Sequence, residues 1–138
     1  MDRGTRIYTL VLTAFILGLV ILFLYQDPKV SDLNDNLEND AEIEAFPYRF
    51  TVVSVGNGIA TISTPRSTEV PVERILGILF PQVVGRKAGS AEFQKAQKEL
   101  ARIQTKARDI VLSDPEIKSM RWQLDRSWLS QHGVILQH

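Results

Sequence analysis

Residues 7–25 read IYTLVLTAFILGLVILFLY, nineteen positions without a charge, Pro, Asn or Gln. A helix of that length measures about 28 Å, close to the hydrocarbon thickness of a bilayer. No polar stripe interrupts it, as one would in a buried helix of a soluble protein. Tyr8 and Tyr25 stand near its ends, where amphipathic rings favour the headgroup level, and Arg3 and Arg6 lie just outside. The stretch is read as one transmembrane helix. It divides the chain into an N-terminus (1–6), the helix (7–25), a spacer (26–45) and a C-terminal domain (46–138).

A cleaved signal peptide shares the basic start and the apolar run. This run exceeds the usual signal core, however, and LFLYQDPK at 22–29 offers bulky residues instead of a small-x-small cleavage site. An uncleaved anchor is expected. Arg3 and Arg6 precede the helix, whereas Lys29 is the lone Lys or Arg between 26 and 45. That bias predicts a cytoplasmic N-terminus and an extracytoplasmic domain, periplasmic in a bacterium. Ala14 and Gly18 form a small-xxx-small pair, with Thr9 and Thr13 as hydroxyl donors, and together they are the candidate face for packing on another membrane helix. The plain alternative is a lipid-facing anchor with incidental small residues.

The zero net charge of the whole chain conceals a strong asymmetry, because residues 26–44 carry one Lys against seven Asp or Glu, and residues 45–138 carry 13 Lys or Arg against 8 acids. Dense like charge, one Pro and few large apolar residues predict a flexible acidic tether, or at most a marginal helix, over 26–45. Asp32, Asn34 and Asn36 match the first ligands of a calcium loop, but Leu37 stands where Gly is required and Ile43 where the bidentate Glu belongs, so no metal is expected. The chain has no cysteine, which excludes disulfides, thiolate metal sites and a cysteine nucleophile.

Beyond the tether, YRFTVVSV (48–55) and IATIST (59–64) flank Gly56-Asn57-Gly58 and predict a β-hairpin, with Tyr48, Phe50 and Val52 on one face. Pro71 opens a short helix bearing Val72, Ile75, Leu76 and Leu79, which stops before Pro81. Residues 90–112 give the longest helical pattern, with Phe93, Ala96, Leu100, Ile103, Ala107 and Ile110 on one stripe, Ser90 as N-cap and Asp114-Pro115 as the stop. Met120, Trp122 and Leu124 alternate with polar residues, as in a half-buried strand. The expected architecture is α+β: a small antiparallel sheet packed against one long helix, behind a transmembrane helix and its tether.

No catalytic constellation stands out. His132 and His138 lack a partner at metal-ligand spacing, and neither a phosphate loop nor a nucleophile elbow is present. Neither a cofactor nor catalysis is expected. Opposite the apolar stripe of the long helix, Lys95, Lys98, Arg102 and Lys106 form a basic ridge, read either as a solvated face relieved by Glu92, Glu99 and Asp109 or as a surface for something anionic: lipid headgroups, an acidic partner or the chain's own tether. Nucleic acid is disfavoured, since no aromatic platform accompanies the ridge. Trp128 lies in a polar stretch and is the candidate exposed aromatic contact, whereas Trp122 is expected in the core. These features point to a non-enzymatic accessory subunit that contacts the lipid bilayer and other membrane proteins. The alternative is a tethered module that binds anionic lipid or another anionic ligand.

Overall fold

A computed structural model describes residues 2–24, 27–87 and 89–136. Among them the chain is mixed α+β, with six α-helices, one 3-10 turn and a three-stranded sheet. Helix α1 (Arg3–Leu24) is long and apolar enough to cross a membrane, and its side chains from Arg3 to Leu22 are all exposed. Tyr25 and His138, both used in the sequence reading, lie outside the described residues.

The hairpin forms as its turn chemistry requires. Strands β1 (Val52–Gly56) and β2 (Ile59–Thr64) pair antiparallel across Asn57 and Gly58, whose φ angles of 54° and 77° fit a two-residue turn that matches strand twist. The register shifts between Val52 and Ser54, so Val53 is an extra residue that bulges from the edge. Tyr48, Phe50 and Val52 all turn inward and are buried.

The expected antiparallel sheet is corrected at its third strand. Strand β3 (Ser119–Leu124) pairs with β2 in parallel, and the sheet order is β1-β2-β3. The reason is the long crossover between them: helix α4 (Val72–Leu79), a 3-10 turn (Pro81–Val83) and helix α5 (Ala91–Leu112) return the chain to the starting end of β2. Ser90 caps α5 by accepting from the Phe93 amide at 3.2 Å. The buried stripe of α5 is Phe93, Ala96, Leu100, Ile103, Ala107 and Val111; at its C-terminal end Val111 takes the inner position expected of Ile110, which is half-buried.

The larger correction concerns residues 26–45. They are no free tether: Pro28–Glu38 forms helix α2, Ala41–Ala45 forms helix α3, and Leu33, Leu37 and Ile43 are core residues, none more than 3% exposed. Burying each of these contributes about 2 kcal/mol, enough in sum to offset much of the ordering entropy of a short segment. Both helices carry local start signals, Asp27 before Pro28 and Asp40 before Ala41, and each Asp side chain accepts from amides of the first turn. Part of the like charge is met by cations, Asp40 and Glu42 by the remote Lys106 and Arg102 and Glu38 and Glu44 by Arg49, while the segment's one Lys meets two remote carboxylates. Lys29 Nζ lies 2.7 Å from Asp114 and 3.1 Å from Glu116, while Lys106 Nζ lies 3.0 Å from Asp40 and 2.8 Å from Glu42. The folded unit therefore starts at Asp27 rather than at residue 46.

Two tryptophans exchange their expected roles. Trp122, on the outer strand, retains 37% exposure, with its ring edge-on to Phe50 at 6.1 Å. Trp128, on the final helix α6 (Arg126–Gln131), is half-buried against Tyr48 in a T-shaped pair at 5.3 Å.

Candidate functional site

The basic ridge exists, and the chain itself occupies half of it. Helical periodicity places Lys95, Lys98 and Arg102 on the side of α5 opposite the buried stripe, with Lys106 toward the margin. Arg102 meets Glu42 from α3 and Glu99 from its own helix, the latter at 2.7 Å. Lys106 holds Asp40 and Glu42 together. These contacts raise the pKa of Lys106, first through Glu42 and then through Asp40, and raise that of Arg102 through Glu99 and Glu42. Glu42 is correspondingly lowered, first by Lys106 and then by Arg102; Asp40 is lowered too, although its desolvation pulls the other way.

Lys95 and Lys98 are exposed and form no ion pair within 4.0 Å among the described residues, although Lys95 adds to the charge that lowers Glu99. They flank a shallow groove of about 410 Å³ along the outer face of α5, whose lining also includes Gln94, Glu99 and the engaged Arg102. In sequence the four cations are equivalent; the structure divides them into two engaged and two open. The acids that make the division, Asp40 and Glu42, belong to the acidic segment that is one of the ridge's expected anionic partners, although the sequence does not single out these two. Their signal was present, since an Asp three residues before Ile43 is a helix cap that fixes the direction of the neighbouring acid.

On α1, Ala14 and Gly18 fall on one face, and a Cβ built at Gly18 meets nothing within 4 Å. Thr9 and Thr13 lie one turn apart, and each donates its hydroxyl proton to a carbonyl four residues back, Thr5 and Thr9 respectively, at 2.8 Å. Within this chain, both hydroxyl protons are thus bonded inside the helix. Trp128 is drawn into the domain instead of standing free, because its amide is bonded by Asp125 and its ring contacts both Tyr48 and His132. Asp125 also accepts from the Tyr48 hydroxyl at 2.8 Å, and burial first, then this carboxylate, pushes the Tyr48 phenol upward against an opposing bond to Ser63. His132 Nδ1 sits 2.8 Å from the Trp128 carbonyl at the end of α6. Among the described residues, no group of three His, Cys, Asp or Glu is arranged to hold a metal ion.

Comparison of the chain with family models, with curated proteins and with solved structures found no match in any of the three.

Proposed function

We propose that the chain is a non-enzymatic, single-pass accessory or scaffold subunit of a cell-envelope membrane complex, with its N-terminus cytoplasmic and its folded domain outside the cytoplasm. The observation that carries the reading is the junction of α1 and α2. Three residues separate Leu24 from Pro28, so the two ends are at most about 14 Å apart. Leu33 and Leu37 of α2 are core residues of the domain. A membrane helix joined so closely to a packed element holds the domain beside the bilayer, where it meets the outer parts of neighbouring membrane proteins. The alternative, binding of anionic lipid through the basic helix face, loses two of its four cations to Asp40, Glu42 and Glu99.

Solubilisation in mild detergent, followed by sizing together with whatever co-purifies, tests the subunit reading. A larger complex of defined composition is expected. A lone monomer under gentle conditions sinks it.

A further inference from the structure

Asp40 and Glu42 show how the surface of α5 receives an acidic segment. Asp40 is fixed as the cap of α3 by the amides of Glu42 and Ile43, at 3.0 and 3.1 Å. Held in that way, it and Glu42 present two carboxylates, two residues apart, to Lys106 and Arg102, one helical turn apart. The same chain then leaves the ridge, for Glu44 pairs with Arg49 at 2.9 Å. The ridge itself continues. Arg102 to Lys95 is about 10 Å further along the helix, and there Lys95 and Lys98 border the open groove with Gln94.

We propose that this groove receives an acidic peptide segment from the extramembrane part of a partner protein, which extends the row of carboxylates begun by Asp40 and Glu42. The proposal rests on the reading of the chain as a subunit of a membrane complex. Protein is favoured over lipid for two reasons. Polybasic stretches that hold anionic membranes cluster about four to eight Lys or Arg, whereas two lysines here are interleaved with Glu92 and Glu99. The acids already docked on the ridge are peptide carboxylates at defined spacing, a geometry that a fluid headgroup layer does not supply. Two exposed pairs bind weakly alone, but a partner anchored in the same bilayer meets them at high effective concentration.

The test places a photo-reactive phenylalanine analogue at Gln94 of the full-length chain in its native membranes, with a second probe at Ala14 as reference. The Gln94 probe is expected to cross-link a membrane protein, and mass spectrometry should locate the adduct in a stretch with several Asp or Glu. Lys95→Glu with Lys98→Glu should lower that yield about tenfold, Lys95→Arg with Lys98→Arg should preserve it, and neither pair should alter the circular dichroism spectrum. An adduct to lipid, to a second copy of this chain or to a non-acidic stretch overturns the proposal, as does a yield indifferent to charge reversal. Protein captured at Ala14 but not at Gln94 also overturns it, while leaving the subunit reading standing. Protein captured at neither position removes both.

Discussion

Asn34 of α2 stands in for a fourth strand beside Val52. Its Nδ2 donates to the Val52 carbonyl at 3.0 Å, and its Oδ1 accepts from the Val52 amide at 2.7 Å, so one side-chain amide satisfies both edge groups of a residue that is 1% exposed. Asn34→Ala leaves a buried N–H and C=O unpaired and should destabilise the fold by about 1–3 kcal/mol. Asn34→Asp should also be destabilising, because a carboxylate accepts from the amide but cannot donate to the carbonyl. Urea unfolding of the two variants checks this, and a wild-type midpoint for either contradicts the stated role of Asn34.

The packing of Leu33, Leu37 and Ile43 makes residues 26–45 a structural requirement. Leu37→Ala should cost about 2–5 kcal/mol, the usual range for a fully buried Leu. A fragment that starts at residue 46 loses all three apolar residues and Asn34, and should lack a cooperative thermal transition and a near-ultraviolet dichroism signal. A cooperatively folding fragment 46–138 would restore the tether.

The hairpin turn, the Ser90 cap and nearly all of the α5 stripe were legible in the sequence because each depends on neighbours within a few residues: positive φ at Asn57 and Gly58, an Asx/Ser cap, a 3.6-residue period. The α2–α3 segment was misread for a nonlocal reason. Its repulsive charge is relieved in part by Lys106 and Arg102, sixty or more residues away in sequence, while its one Lys is held by the remote Asp114 and Glu116, and the apolar spacing of Leu33 and Leu37 is outweighed by composition. The parallel pairing of β2 with β3 is likewise a property of the crossover and not of either strand. The division of the ridge follows from the same contacts, so which cations stay open depends on how the acidic segment packs.

Stability should depend on pH at both ends of the scale. Asp114 is lowered, first by Lys29 and then by the Glu116 amide; Glu42 and Glu99 are lowered by their cation contacts, and Asp40, against its desolvation, by the Ile43 amide and then Lys106. A depressed carboxylate stabilises the fold above its unfolded value, near 3.8 for Asp and 4.5 for Glu, and the contribution is lost as pH falls through the lower folded value. Lys29→Met removes the Asp114 share, so its unfolding midpoint should fall less steeply below about pH 4 than that of the wild type. A parallel pH dependence in both proteins argues against the Lys29–Asp114 contribution.

Tyr48 contributes on the alkaline side, together with the raised Lys29 and Lys106. Its phenol is raised above the ordinary 10.0, chiefly by burial, so its contribution is complete below about pH 10 and disappears as pH rises through the folded value. Tyr48→Phe removes the bond to Asp125 and should cost about 1–2 kcal/mol at neutral pH. The same variant should lose less stability than wild type between about pH 10 and 12, where unfolded tyrosine ionises. Denaturant midpoints across that interval decide the point.

Ala14 and Gly18 separate anchoring from docking. Nothing lies within 4 Å of a Cβ placed at Gly18, and Ala14 is exposed on the same helix. Ala14→Ile with Gly18→Ile therefore finds no clash within the chain and raises the hydropathy of α1, so membrane insertion and the thermal transition of the domain should both be unchanged. A partner helix that approaches over a small-residue surface meets two branched side chains instead, at the position where close backbone contact supplies most of the packing. Co-purification of partners through α1 should then be lost while the protein remains in the membrane fraction. If partners are retained at wild-type yield, this face of α1 meets lipid, and any association runs through the folded domain alone.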